Sequence, residues 1–151
     1  MSDQRPNVEM IYKNMAMIWL GLFSSQLMFV VVSFVAKPEL LKFDLSAPPL
    51  GSEPMMVIVF AALGLMLIAA SFIMKANFNR KATDTQQPGL VQTGMIVACA
   101  MCEATSIFGL VLAFAHSYQY FVCWIAAAMA GMAFHFPSRT AIMNASLGKR
   151  L

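Results

Sequence analysis

The sequence predicts an all-α integral membrane protein, on the basis of its composition and its four long apolar blocks. Of 151 residues, 60% are hydrophobic and only 11% are charged, and the mean hydropathy is +0.70. A soluble domain of this size is far less apolar. The blocks lie at about residues 16–36, 55–74, 95–115 and 120–136, and each approaches the roughly 20 helical residues that a hydrocarbon core of about 30 Å requires. We therefore expect a single membrane domain over residues 1–151 with four transmembrane helices.

The segments between the blocks predict how the helices are arranged. The first block starts too far along the chain and has no small-residue cleavage site, so we expect a retained helix rather than a signal peptide. A proline-rich loop joins the first two blocks, and a polar loop over residues 75–89 joins the second to the third. The third and fourth blocks are separated only by "HSYQY", which predicts an antiparallel hairpin. The expected fold is an antiparallel four-helix bundle or two helical hairpins.

The distribution of lysine and arginine predicts the orientation of the helices. Only Lys37 and Lys42 lie in the first loop, and the other eight of the ten basic residues fall on the opposite side of the membrane. Because basic residues favour the cytoplasmic side, both termini should be cytoplasmic, and the expected location is the bacterial inner membrane. Contact with anionic lipid headgroups explains the net charge of +3 without a nucleic acid. The eight residues are Arg5, Lys13, Lys75, Arg80, Lys81, Arg139, Lys149 and Arg150.

The sequence contains no motif typical of a soluble active site. No phosphate-binding loop, GxGxxG turn, HExxH helix or Ser-His-Asp arrangement falls on a water-facing element, so we expect neither an enzyme nor a bound cofactor. Cys99 and Cys102 form a CxxC pair inside an apolar helix, and we interpret them as packing residues rather than metal ligands. His116 and His135 lie near opposite membrane surfaces, too far apart to share a haem iron.

Glu103 is the residue on which any functional interpretation depends. It is the ninth residue of the apolar block 95–115, so at 1.5 Å per residue it lies only about 3 Å from the centre of that block. An ionised carboxylate that faces lipid at this depth costs several kcal/mol. We therefore expect Glu103 to be shielded by neighbouring helices and to be protonated much of the time.

A polar cluster on the first helix supplies the expected partners of Glu103. The first and third helices cross the membrane in the same direction, and Ser24-Ser25-Gln26 lies at roughly the depth of Glu103. Gln26 is the best-placed hydrogen-bond partner, with Ser24 and Ser25 next, and Ser106 shares the face of Glu103 on its own helix. Two interpretations stay open. A protonated Glu103 joins the two helices, or Glu103 is a reversible proton or cation site.

The stretch "CEATSIFGLVLAF", residues 102–114, resembles the carboxylate helix of the c subunit, or proteolipid, of rotary ATP synthases. The similar pattern is Glu-Ala, Ile-Phe, Gly-Leu-Val and Ala-Phe, and Gln87-Pro88 is similar to the cytoplasmic Arg-Gln-Pro loop of that family. The resemblance implies that Glu103 carries a proton in a homo-oligomer, with Ala104 beside it as in proton-type members. Over its whole length, the chain resembles uncharacterised bacterial four-helix membrane proteins that end helix 4 in a pattern like "HFPSR".

These observations leave three hypotheses for function. The first is a proton-translocation component that works as a homo-oligomer through Glu103. The second is a non-catalytic subunit of a larger membrane complex, in which Glu103 is a buried hydrogen-bonding anchor. The third is a small multidrug-type antiporter, which ranks last because that family carries its membrane glutamate on the first helix. The expected partners are therefore membrane lipids together with further copies of the chain or the subunits of a complex.

Overall fold

The chain folds into α-helices joined by short turns and by one longer loop between the first two α-helices. The computed structural model describes residues 7–42, 44 and 46–147, and these residues form five α-helices, one short 3-10 helix at Pro38–Leu41 and no β-strand. The all-α prediction is therefore confirmed. The α-helices are α1 (Val8–Ala36), α2 (Pro54–Thr85), α3 (Gly89–His116), α4 (Phe121–Phe134) and α5 (Arg139–Leu147). Of the basic residues used to predict orientation, Arg5, Lys149 and Arg150 lie outside the described residues.

The first two helices extend beyond the apolar blocks that predict them. α1 begins at Val8, where the Asn7 side chain accepts hydrogen bonds from the backbone N–H groups of Glu9 and Met10, at 3.1 and 3.2 Å. α2 continues to Thr85, which corrects the loop expected from residue 75 onward. Hydropathy marks the hydrocarbon layer rather than the end of a helix, and this polar stretch contains no proline or glycine that would stop one.

The turn between α2 and α3 is short and sharp. Gln86 ends α2 in the left-handed conformation, with φ of 55°, and its N–H bonds to the carbonyl oxygen of Ala82. Pro88 follows two residues later, and α3 begins at the next residue, Gly89. Because proline is disfavoured inside a helix but tolerated at its start, the sequence reverses the chain here. α2 and α3 form a long hairpin as a result.

Length and composition make three of these helices able to cross a membrane. Among the described residues, α1, α2 and α3 are each long and apolar enough for a span. α4 has 14 residues, or about 21 Å at 1.5 Å per residue, which is shorter than a hydrocarbon core. α4 and α5 together pass the same test as a pair bent by 44°. The sequence predicts four spans. The structure has three helices that could each cross a membrane, and a fourth span if the bent pair of α4 and α5 counts as one crossing.

The bend between α4 and α5 has a local cause. Pro137 cannot donate a backbone hydrogen bond and disfavours helical geometry at the residue before it. Side chains from other helices donate hydrogen bonds to carbonyl groups at and just beyond the end of α4. The indole Nε1 of Trp19 donates to the Met132 carbonyl oxygen at 2.9 Å, and the Lys75 ammonium lies 3.4 Å from the carbonyl oxygens of Phe134 and Phe136. A break inside the apolar region is thus tolerated because its backbone groups find partners.

α3 is the central helix of the fold. It packs against α1, α2 and α4. In the apolar 18-residue stretch of each helix, 44% of the residues are buried in α3, against 11% in α1 and 17% in α2. Glycines allow the close approaches on its α2 and α4 sides. A Cβ at Gly109 would lie 2.6 Å from the Trp124 Cβ, and a Cβ at Gly94 would lie 2.5 Å from the Phe78 Cβ. Small residues that bring helix backbones together are the usual packing device in lipid.

The long loop between α1 and α2 is tied to the turn between α3 and α4. The Tyr118 hydroxyl donates to the Pro49 carbonyl oxygen at 2.8 Å, and burial raises the pKa of Tyr118. Asp44 and Gln119 exchange two hydrogen bonds between backbone and side-chain amide, at 3.0 and 2.6 Å. Hydrogen bonds donated by Ser46 lower the pKa of the exposed Asp44 carboxyl. These contacts fix the end of the molecule opposite to the α2–α3 turn.

Candidate functional site

Glu103 lies at the middle of the central helix. It follows Gly89, the first residue of α3, by 14 positions and precedes the last, His116, by 13. The side chain is half-buried at the edge where α3 meets α1. The Ser25 hydroxyl of α1 lies 2.8 Å from Glu103 Oε1, within hydrogen-bond distance. The structure thus brings together two of the residues that the sequence analysis proposed as a site.

The Ser25 hydroxyl serves two acceptors with a single hydrogen atom. Its oxygen is 2.7 Å from the Leu22 carbonyl oxygen and 2.8 Å from Glu103 Oε1. When Glu103 is ionised, Ser25 donates to the carboxylate. When Glu103 is protonated, Ser25 donates to Leu22 and accepts the carboxyl hydrogen, since a hydroxyl is both donor and acceptor. The geometry therefore accommodates both protonation states of Glu103 without moving a helix.

Gln26 does not contact Glu103, although the sequence predicts it as the best-placed partner. It is fully buried, and its Oε1 accepts a hydrogen bond from the Ser106 hydroxyl rather than contacting Glu103. Successive residues on a helix point about 100° apart, so Ser25 and Gln26 reach different positions on α3. Gln26 Nε2 is buried with no hydrogen-bond partner among the described residues.

Ser24 stands apart from the other proposed site residues. It is exposed, and its hydroxyl makes no hydrogen bond to any residue that the structure describes. The other two serines of α1 differ, because Ser25 donates to Leu22 as described and Ser33 donates to the Phe29 carbonyl oxygen at 2.8 Å. The structure therefore places Ser24 near the depth of Glu103 but on the outer surface of α1.

The buried surface of α3 next to Glu103 is closely packed and carries two cysteines. Cys99 and Cys102 are both fully buried and both are free thiols. Cys102 packs against α4, where a Cβ at Gly131 would lie 2.9 Å from its Sγ. Gly131 therefore contributes to packing within the chain. Across the part of the chain that the structure describes, no group of three or more His, Cys, Asp or Glu residues could hold a metal ion.

A second buried polar contact escaped the sequence analysis. His135, at the end of α4, is fully buried, and its Nε2 lies 2.8 Å from the Ser71 hydroxyl of α2. Ser71 also lies 2.6 Å from the Ile68 carbonyl oxygen and 3.6 Å from Cys102 Sγ. His135 Nδ1 has no hydrogen-bond partner among the described residues. The periodicity of a sequence does not indicate that a serine in one apolar block lies beside a histidine in another.

The two histidines lie at opposite ends of α4. His135 does not lie near a membrane surface as the sequence predicts, because its partner Ser71 is 3.6 Å from Cys102, which is next to Glu103 at the middle of α3. His116 is the last residue of α3, and His135 follows the last residue of α4. The 14 residues of α4 separate them by about 21 Å. This distance is far longer than the span of one haem iron and its two axial ligands.

Comparisons with known proteins give no relative for this chain. No protein-family model, no curated protein and no solved structure matches it. The function must therefore be argued from the geometry around Glu103.

Proposed function

We propose that this protein is an integral membrane protein that takes up and releases a proton at Glu103, as a non-enzymatic proton-handling component. The observation that carries the proposal is the Ser25 hydroxyl, which lies within 2.8 Å of both the Leu22 carbonyl oxygen and Glu103 Oε1. A site whose hydroxyl can pair with the charged carboxyl as a donor and with the neutral carboxyl as an acceptor is suited to reversible protonation. A purely structural carboxyl needs only one of these states.

Two further observations support the proposal. Glu103 is half-buried, so its carboxyl is shielded by α1 and is still open on one side, as a proton donor and acceptor must be. The resemblance of residues 102–114 to the carboxylate helix of rotary ATP synthase c subunits assigns the same role to Glu103. Acidic side chains inside membrane-spanning helices commonly mark proton relays.

The topology that we propose places both termini in the bacterial cytoplasm, with α4 and α5 as the fourth crossing. It is supported by the basic side chains on the C-terminal half of α2 and by Arg139 on α5, because α5 packs against that part of the fold. Lys37, in the proposed outer loop, is occupied in capping α3, where it donates to the Phe114 carbonyl oxygen at 2.8 Å. Reporter fusions at residue 151 and in the loop at Ser52 test the orientation.

A hydrophobic carbodiimide, which reacts with protonated carboxyl groups in lipid, tests the proposed function. We expect the full-length protein in membranes to be labelled at Glu103, with labelling that falls progressively as the pH is raised. Glu103→Gln should abolish labelling at this site. Glu53→Gln, which removes an exposed carboxyl at the start of α2, should leave it unchanged. Labelling that does not vary with pH would contradict reversible protonation.

A second candidate function has support from the same region. The indole of Trp19 and the Ser25 hydroxyl both join α1 to other helices through polar contacts. Glu103 in this view is a hydrogen-bonding anchor of a non-catalytic subunit in a larger membrane complex. Isolation of the chain in mild detergent distinguishes the two, because this candidate requires stoichiometric foreign subunits. It also requires that Glu103→Gln retain full activity of the complex.

A further inference from the structure

Ser24 is a polar residue on a helix surface that is otherwise apolar. Its neighbours one turn away on α1, at i−4, i+3 and i+4, are Leu20, Leu27 and Met28, and all three are more than half exposed. Serines in apolar helices usually bond back to the preceding turn, as Ser25 and Ser33 do here. Ser24 forms no such bond with the described residues. Its hydroxyl is therefore available to a group outside the chain.

Glu103 has a matching unused atom. Its hydrogen bond to Ser25 uses Oε1, and Oε2 has no hydrogen-bond partner in the part of the chain that the structure describes. Ala100 and Ile107, which lie close to Glu103 on α3, are exposed. A carboxyl oxygen that faces acyl chains without a partner is costly at this depth. Glu103 Oε2 is therefore left to pair with a hydrogen-bond donor from outside the chain.

The donor and the acceptor lie at the same membrane depth. Ser25 contacts Glu103 directly, and Ser24 is the adjacent residue, displaced by only about 1.5 Å along the helix axis. The two serines point about 100° apart. Copies of a chain related by a symmetry axis normal to the membrane share one depth and one orientation. Each copy consequently presents the Ser24 hydroxyl at the height of the Glu103 carboxyl of its neighbour.

We propose that the surface of α1 around Ser24 binds a second copy of this chain, whose Glu103 accepts a hydrogen bond from Ser24. Every Glu103 carboxyl then receives two hydroxyls, from Ser25 of its own chain and from Ser24 of the neighbouring copy. This inference rests on the proposed function in one respect, because it names a second hydrogen-bond partner for the same Glu103 carboxyl. Repeated by rotation about an axis normal to the membrane, this contact gives a symmetric oligomer.

Disulfide cross-linking between separately tagged full-length copies in membranes tests the contact directly. In a Cys123→Ala background, which removes the exposed cysteine, one copy carries Ser24→Cys and the other Ile107→Cys. We expect a mixed dimer on oxidation. The matched control pairs Ser24→Cys with Leu65→Cys, because Leu65 is exposed on α2 and adjoins Gly64, which packs against Thr105 of α3 at a similar depth. Equal yields from the two pairs, or no mixed dimer, would overturn the proposal.

Native mass measurement in lipid tests the role of the Ser24 hydroxyl. We expect the wild-type chain to form an oligomer, Ser24→Ala to weaken association by about three- to fifteenfold per interface, and Ser24→Thr to retain it. A monomeric wild type, or Ser24→Ala and Ser24→Thr chains that associate equally, would overturn the proposal. Glu103→Gln, which cannot ionise but still accepts a hydrogen bond, should keep the oligomer. A wild-type oligomer whose labelling at Glu103 does not vary with pH would therefore contradict the proposed function alone.

Discussion

The two sides of α3 are held to their neighbours by different kinds of contact. Toward α2 and α4, glycines bring the helices together, with Gly94 against Phe78 and Gly109 against Trp124. Toward α1, the contacts that join the helices include hydrogen bonds between side chains, such as Ser25 with Glu103. The first side also has a hydrogen bond, from the Thr105 hydroxyl to the Gly64 carbonyl oxygen at 3.2 Å, but it is the side on which glycines allow the closest approaches. The second side contains the carboxyl that can change its hydrogen bonds.

This difference has a consequence in a bilayer. Lipid tails are as apolar as leucine, so helices associate there through close packing and interhelical hydrogen bonds rather than through the hydrophobic effect. The α2–α3–α4 side should therefore be the rigid part of the fold. The α1–α3 seam should be the adjustable part, and it is the part that contains Glu103.

The largest predicted effect is on the close-packed side. Gly109→Ala places a Cβ 2.6 Å from the Trp124 Cβ and 3.1 Å from the Phe121 carbonyl oxygen, so α4 has to shift. We expect a loss of about 2–3 kcal/mol in the free energy of unfolding, measured in bilayers or mixed micelles. The same substitution at Gly21, where an added Cβ meets nothing within 4 Å, should change stability by less than about 1 kcal/mol. Equal losses at the two positions would contradict a rigid α3–α4 contact.

A smaller effect is predicted for a polar contact between α1 and α4. Trp19→Phe removes the indole hydrogen bond to the Met132 carbonyl oxygen and keeps a ring that can stack on Phe23 at about the observed 4.9 Å. We expect the free energy of unfolding to fall by about 1 kcal/mol, the usual range of an interhelical hydrogen bond in lipid. Trp19→Leu, which also removes the stacking, should cost more. If Trp19→Phe destabilised the protein as much as Gly109→Ala does, the proposed contrast between the two sides would fail.

The smallest effect is predicted for an exposed contact between α1 and α5. Arg139 of α5 lies 3.3 Å from Glu9 and 4.5 Å from the centre of the Tyr12 ring on α1. Both charged side chains are at least half exposed, so we expect Glu9→Gln to cost about 0.5 kcal/mol or less. The cost should disappear in high salt. A loss larger than that of Trp19→Phe, or one that persists in high salt, would show that this ion pair rather than the buried contacts fastens α1.

The sequence was sufficient to predict the helical class and the position of Glu103 near the middle of a long apolar helix, because both follow from apolar length. It was not sufficient to predict where α2 ends, since the polar residues up to Thr85 remain helical beyond the apolar block. The limit of α4 near Pro137 is visible in the sequence, and the 44° bend to α5 is not. Hydropathy indicates where lipid lies around a helix and carries little information on how far the helix continues.

The partner of Glu103 could not be assigned from sequence for a geometric reason. Adjacent residues on a helix differ by about 100° in direction, so choosing between Ser25 and Gln26 requires the rotation of α1 relative to α3. That rotation depends on packing along the whole helix. The contact of Ser71 with His135 is hidden for the same reason, because it depends on the relative position of α2 and α4.

Infrared difference spectroscopy of the protein in lipid measures the protonation of Glu103 most directly. Raising the pH should remove the C=O stretching band of a protonated carboxyl and restore it on return to low pH. This reversible band should be absent from Glu103→Gln and shifted in frequency in Ser25→Ala, which lacks the hydroxyl 2.8 Å from the carboxyl. A spectrum in which the Glu103 carboxyl keeps one protonation state from acidic to alkaline pH would contradict reversible protonation at this site.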